Sequence, residues 1–203
     1  ARNLAKAIEP VLQQPVAVLN RVGGNGVVQM SALTAAPADG YTLAVNTASH
    51  LSILRTTARE TFHLQDFDWI ARVQLETYLT VVRADAPWQN LAEFVEAARK
   101  AQPLFNVGGQ GAPGSAHNIH FNILAQAGGF KFNWIPFQGG IQHLTALLGG
   151  TLTATSNNPQ TILQFAEAKR VRPLGVQGLH RVDSFPDVPT YRESGIDADP
   201  SWQ

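Results

Sequence analysis

The chain contains no cysteine, which excludes disulfides, thiolate metal sites and a cysteine nucleophile and leaves its redox compartment open. It carries no surplus of charge either: Lys and Arg number 15, Asp and Glu 15, and the formal net charge is +0. Without a broad basic field there is nothing to attract a nucleic-acid backbone, so no nucleic-acid partner is expected. No apolar run approaches the ~20 residues of a membrane-crossing helix, and no signal-peptide pattern opens the chain; the expectation is a soluble, mature or trimmed product. Fixed-period repeats and low-complexity tracts are missing. Acids are missing from one long stretch: between Glu96 and Glu167 there is no Asp or Glu, where the chain's own average would place roughly five.

What is present is enough for one ordinary domain or two small lobes: 203 residues, 44% hydrophobic and 15% charged. Strand-like and helix-like segments alternate, the pattern of an α/β protein with mainly parallel sheets. "ARNLAKAIEPVLQQ" has helical spacing, with Leu4, Ile8, Val11 and Leu12 on one side, and the strand-like "VAVLN" follows Pro15. Asn25 reads as the N-cap of "GVVQMSALTAA", and "YTLAVN" as the next strand. Further on, "TYLTVVR", "LFNV", "FNWIP", "TLTATS" and "VRPLGVQ" read as strands, with helices after Asn90, near 115–127, near 140–148 and in "QTILQFAEAK". Glu93, three residues after Asn90, completes a capping pair.

Gly109-x-Gly111-x-x-Gly114 lies between a strand and a helix, where a dinucleotide fingerprint would lie. That reading also needs an acid about 20 residues on for the ribose hydroxyls. "GGFKFNWIPFQGG" offers none, Lys131 stands nearby instead, and Pro113 interrupts the motif. A glycine-rich turn with no ligand is a second reading. A third fits better: backbone N–H groups at a helix start capped near Ser115, facing a small anion in a region free of carboxylates. A buried core also excludes acids, and that alternative stays open.

No catalytic constellation assembles. His117 and His120 are one turn apart but have no third metal ligand at sensible spacing, so helix-surface or ligand-facing hydrogen bonding is expected of them. His143, among Ile141, Leu144 and Leu148, reads as a half-buried histidine with its hydrogen bonds made. Ser49 beside His50 and Ser115 near His117 do not form a nucleophile–base pair by adjacency, and no G-x-S-x-G elbow occurs. The loops "NTASH", "GGQGAPGSAH", "FQGG" and "TSNNP" are small, neutral and rich in backbone access, an inventory for binding rather than bond breaking.

"LQQPVAVLNRVGGNGVVQMSALTAAPADGYTLAVNTASH", "FNVGGQGAPGSAHNIHF", "WIPFQGGIQHLTALLGG" and "FPDVPTYRESGI", the last preceded by "VRPLGVQGLHR", resemble in order and spacing the Bug-type solute-binding proteins of tripartite tricarboxylate transporters. The resemblance covers nearly the whole chain. It implies a type II periplasmic binding protein: two α/β lobes, a hinge crossed twice, and a small carboxylate held between them. The ligand would be a di- or tricarboxylate, an amino acid or an aromatic acid, passed to the transporter's membrane permease subunits in the periplasm. A sensor protein is a further partner to consider; catalysis, cofactor and metal are not expected. The crossings would fall near 82–86 and 173–176, giving one lobe of 1–82 plus 175–203 and another of 83–174. The ligand-binding positions carried over are Asn46, Thr47, Ala48 and Ser49; Gly109, Gly111, Gly114, Ser115 and His117; and Phe137, Gln138, Gly139, Asn157 and Asn158.

Three departures qualify this. Leu19 and Val22 stand where the family usually has Glu and Pro, and "TSNNP" holds Asn where an acid is usual. The family's opening strand and Gly-rich, Asp-containing loop, and its continuation past "DPSWQ", have no counterpart here, so a fragment with an incomplete first lobe is expected. Such a lobe should expose apolar sheet edge. The rival reading is a cytoplasmic α/β enzyme that uses the Gly109-x-Gly111-x-x-Gly114 loop to bind a phosphate or nucleotide.

Overall fold

The computed structural model describes residues 1–21, 23–47, 61–74 and 76–198, with contacts that divide the chain into two units, Ala1–Trp69 and Ile70–Gln203. In the first unit, α1 (Arg2–Leu12) and α2 (Val27–Thr34) are the helices among the described residues. Gln13, in the left-handed region, ends α1 by donating its N–H to Glu9 O, and Glu9 Oε1 accepts from Val16 N–H at 2.9 Å. The cap of α2 is Gly26, not Asn25, because a 3₁₀ turn over Gly24–Gly26 leads directly into the helix. Met30 and Phe62 form this unit's small buried cluster. "VAVLN" and "YTLAVN", read above as strands, are irregular through the described 16–20 and 41–46, and Leu19, Tyr41 and Leu43 are exposed.

The second unit is built on one five-stranded sheet ordered β3-β2-β4-β1-β5. The strands are β1 (Tyr78–Arg83), β2 (Phe105–Gln110), β3 (Phe132–Phe137), β4 (Ala154–Asn157) and β5 (Val171–Gln177). β2 is parallel to β3 and β4, whereas β1 runs antiparallel to β4 and β5, so β2, β3, β4 and β5 share one direction, as expected of a mainly parallel sheet, and β1 is reversed among them. Helices α3 (Leu91–Lys100), α4 (Ala116–Gly128), α5 (Gly140–Leu148) and α6 (Pro159–Glu167) cover its two faces. One cluster joins Leu91, Phe94, Phe121 and Leu124 to the sheet, the other Leu144, Leu147 and Ile162. The period of two along β1 divides it between these faces: Leu79 and Val81 enter the second cluster, Val82 the first. Pro173 sits where the β1–β5 register slips, a position that tolerates a residue without an N–H donor.

The segment after β5 folds back on it. Val176 N–H donates to Pro189 O, Tyr191 N–H donates to Val176 O, and Tyr191, Ile196 and Ala198 enter the first cluster. Residues 70–82 and 175–198, which the resemblance assigns to the first lobe, therefore stand with the second unit in this chain. The capping pair forms as read: Asn90 Oδ1 accepts Glu93 N–H at 2.9 Å, and Glu93 Oε2 accepts Gln89 N–H at 2.8 Å. Asn90→Ala is expected to cost about 1 kcal/mol, a fall of roughly 2–4 °C in Tm for a chain of this size, read by differential scanning calorimetry.

Candidate functional site

The sheet's topology delivers the predicted loops of the second unit to one edge. β2 and β3 run in register to Gln110 opposite Phe137, and β4 ends at Asn157 on the other side of β2. Each of these strands turns at that edge into a helix, so α4, α5 and α6 all start there, capped by Ser115, Gly139 and Asn158. Because β1 is antiparallel, with Leu79 opposite Asn157, its first residues arrive at the same edge. Open α/β sheets bind ligands outside the carboxyl ends of their strands. Here that edge collects three helix starts, each carrying partial positive charge, within the acid-free stretch 97–166.

Not every N–H at this edge is available. Gly111 N–H donates to Phe137 O at 2.9 Å and Ser115 N–H to Ala112 O at 3.0 Å. Gly114 N–H donates to Asn118 Oδ1 at 2.9 Å and Gln138 N–H to Gln142 Oε1 at 3.1 Å. The first-turn N–H groups of Ala116, His117, Gly140, Ile141 and Gln160 have no intrahelical acceptor by helix geometry, and these are the donors left for a ligand.

The predicted site residues therefore divide by role. Gly111 and Gly114 have φ of 89° and 88°, a left-handed conformation that glycine adopts without strain. Ser115 Oγ caps α4 by accepting Asn118 N–H at 3.4 Å. A side chain at Gly139 would meet nothing within 4 Å, so this position is open. Phe137 is half-buried, Gln138 is exposed, and Asn158 donates from Nδ2 to Thr77 O at 3.4 Å. Gly109 is not a loop residue: it lies within β2, buried against Trp134 and His117. Asn157 is fully buried, and its amide is used internally, Oδ1 accepting from His143 and Nδ2 donating to Thr155 Oγ1. Its side chain is thus taken up by His143 and Thr155. Asn46 belongs to the first unit, where its Oδ1 accepts from Gln29 Nε2 at 3.1 Å, and Thr47 follows it. Ala48, Ser49 and His50 lie outside the described residues.

The histidines are more buried than their sequence reading had them. His117 and His120 are buried, not on the helix surface, because α4 turns them toward the sheet. His117 Nδ1–H donates to Ser156 O at 2.8 Å. His120 bridges Ser156 Oγ, at 2.6 Å from Nδ1, to the Tyr191 hydroxyl at Nε2, and that hydroxyl lies 2.6 Å from Thr80 Oγ1. His143 is fully buried rather than half-buried; its Nε2–H donates to Asn157 Oδ1 at 2.7 Å, and its Nδ1 has no partner among the described residues. Burial pushes all three imidazoles below the ordinary histidine range, aided at His120 and His143 by the neighbouring His117, and His143 is pushed to about 4. Burial raises the Tyr191 hydroxyl, so the network is uncharged at neutral pH. Among the described residues, no three His, Asp or Glu side chains come together as metal ligands would.

Sequence reading missed Tyr78 and Glu76. The Tyr78 ring is edge-on to His117 at 4.9 Å and stacked on His120 at 5.4 Å, and its hydroxyl donates to Glu76 Oε2 at 2.5 Å. Only the register of β1 against β4 carries them to this edge. A cavity of about 240 Å³ opens beside Gln177, Thr190, Tyr191 and Arg192, at the end of β5, where Gln177 pairs with Tyr78.

The family described as tripartite tricarboxylate transporter family receptor matches residues 1–202. A Cupriavidus necator protein described as "UPF0065 protein in gbd 5'region" is 32% identical over 197 residues; the match covers 96% of this chain and 59% of that protein. The chain thus spans about three-fifths of this curated relative. A solute-binding protein of this family from Polaromonas, solved without ligand, superposes with a TM-score of 0.79 at 29% identity, covering 97% of this chain and 67% of that one. MatC from Rhodopseudomonas palustris, solved with bound malate, has the same fold at a TM-score of 0.79 and 23% identity, covering 100% and 68%.

Proposed function

The chain belongs to the tripartite tricarboxylate transporter receptor family, and from that membership we propose that it captures a small carboxylate outside the cytoplasm, in the periplasm, and passes it to the membrane permease subunits of a transporter. The observation that carries this reading is the convergence of the α4, α5 and α6 starts on one edge within an acid-free stretch. Helix-start N–H groups there can take both oxygens of a carboxylate without any charged side chain. The malate held by MatC fits this ligand class. Di- and tricarboxylates, amino acids and aromatic acids all present the group the edge would hold.

The reading is of binding without catalysis. The buried histidines are neutral; His117 and His120 are engaged with Ser156 and Tyr191, and His143, fully buried, is held to Asn157 through Nε2–H. The first glycine of the Gly109-x-Gly111-x-x-Gly114 motif is spent on packing, which leaves the nucleotide reading without its loop. In a two-lobed receptor of this family the lobes would close over the ligand, and affinity for both faces would favour the closed population. Isothermal titration calorimetry of the full-length protein with malate, succinate, citrate, aspartate and benzoate tests the proposal. At least one is expected to bind in the micromolar range or tighter, about −8.2 kcal/mol or better, with no response to NAD or ATP. Silence across the five acids would overturn it.

A further inference from the structure

The candidate edge is lined with donors, yet it also holds one carboxylate, and its placement is built rather than incidental. Glu76 lies two residues before Tyr78, whose ring is clamped between His117 and His120 and cannot turn without breaking the stack. The Tyr78 hydroxyl donates to Glu76 Oε2 at 2.5 Å, and burial followed by Glu76 itself raises that hydroxyl, so its proton stays in place as the donor. Asn158, the cap of α6, donates to Thr77 O at 3.4 Å and holds the backbone between them. The carboxylate is thus pinned beside the starts of α4 and α6, while its Oε1 makes no hydrogen bond among the described residues.

A second acceptor lies at the same edge. His143 is fully buried among Asn157 and Phe137, at the ends of β4 and β3, and His117, in the first turn of α4. Since Nε2 carries the proton donated to Asn157 Oδ1, Nδ1 presents a lone pair, and no donor meets it among the described residues. A dicarboxylate would satisfy the helix starts with one group, but its second would face the half-buried Glu76 as a like charge, where an ammonium would meet an opposite one.

We propose that the edge is built for a carboxylate that also carries an ammonium group, with the helix starts holding the carboxylate and Glu76 receiving the ammonium. This rests on the carboxylate-capture reading above and narrows its substrate class to zwitterionic amino acids. Glu76 is then the specificity-determining residue, and Tyr78 positions it.

Matched pairs that differ only by the amino group test this on the full-length protein: aspartate against succinate, and 4-aminobutyrate against butyrate, each by calorimetry. The amino member is expected to bind roughly 10- to 100-fold tighter, the usual range for a hydrogen bond to a charged group. Glu76→Gln, close to isosteric, is expected to abolish that preference while succinate and butyrate bind as well as before or better. Tyr78→Phe keeps the ring stack but frees Glu76, and is expected to reduce the preference in part. A preference for the non-amino members in the wild type, or one unchanged in Glu76→Gln, overturns the role of Glu76 while leaving carboxylate capture intact. Absence of binding by all four acids to wild type and variants alike overturns the role of Glu76, and silence that extends to malate, citrate and benzoate overturns carboxylate capture as well.

Discussion

Gly109→Ala is expected to damage the protein more than Gly108→Ala, although the shortest clash belongs to Gly108. A Cβ at Gly108 would stand 2.3 Å from Leu152 Cδ1, the free end of a flexible side chain that can rotate away. A Cβ at Gly109 would stand 2.5 Å from Trp134 Cη2 and 2.9 Å from His117 Cβ, and neither can yield easily. Trp134 is pinned by its Nε1–H bond to Gly111 O at 3.1 Å, and His117 by its bond to Ser156 O at 2.8 Å and its contact with Tyr78. Overpacking costs about 1–3 kcal/mol, and Gly109→Ala belongs at the upper end of that range. Gly108→Ala belongs near the lower end, where the stiffer unfolded chain returns about 0.4–1 kcal/mol. For a chain of this size the difference is a fall in Tm of roughly 4–12 °C against a few degrees at most. Affinity should fall with Gly109→Ala too, because displacing Trp134 releases the Gly111 carbonyl and with it the turn that starts α4. Thermal melts followed by circular dichroism, with calorimetry on the folded variants, check both; Gly108→Ala proving the more damaging would overturn the argument.

The two glycines also mark the limit of what the sequence discloses. The motif around Gly109 is legible as a strand-to-helix transition, and the transition is there, but the letters do not say which glycine turns the chain and which makes room for a neighbour. That depends on Trp134, 25 positions on and brought alongside by the parallel pairing of β2 and β3. The second unit's strands and helices were readable because their periods of two and of about 3.6 persist and their caps are local, as at Asn90 and Ser115. "VAVLN" and "YTLAVN" have the composition of strands, yet a strand forms only against a partner, and none stands beside them among the described residues. The buried network was invisible for the same reason of distance: the hydrogen bonds joining Thr80, Tyr191 and His120 span separations of 111 and 71 residues. Glu76 was passed over because it lies outside the acid-free stretch in sequence, while β1 returns it to that stretch's edge in space.

Acid is expected to destabilise the chain well before its surface carboxylates titrate. His117, His120 and His143 are held below the ordinary histidine pKa of about 6.5, chiefly by burial. Their neighbours, Tyr78, Tyr191, Thr80, Ser156, Asn157 and Phe137, are uncharged, and the nearest acid named on this edge, Glu76, is reached only through the Tyr78 hydroxyl. In the unfolded chain these histidines take up protons near 6.5; in the folded chain His143 does so only at about 4. Between those values the unfolded state binds more protons, so stability rises with pH and is lost as pH falls, by up to about 1.4 kcal/mol per pH unit for each histidine. For His143 alone the whole window amounts to about 3 kcal/mol, a sizeable part of the 5–15 kcal/mol typical of a folded domain. Glu193, held at about 2 by the Arg181 guanidinium and the Thr190 N–H, loses its contribution only below the ordinary carboxylate range, so the two effects separate along the pH axis. They separate in salt as well: Glu193 and Arg181 are exposed and screened, whereas burial of an imidazole is not. Urea unfolding between pH 7.5 and 4.5 should show the midpoint falling through this window at low and high salt alike. His143→Gln should make the slope shallower by up to about 1.4 kcal/mol per pH unit near pH 5. Imidazole resonances that titrate near 6.5 in the folded protein, together with a flat urea midpoint from pH 7 to 5, would show that these histidines are not held neutral by the fold.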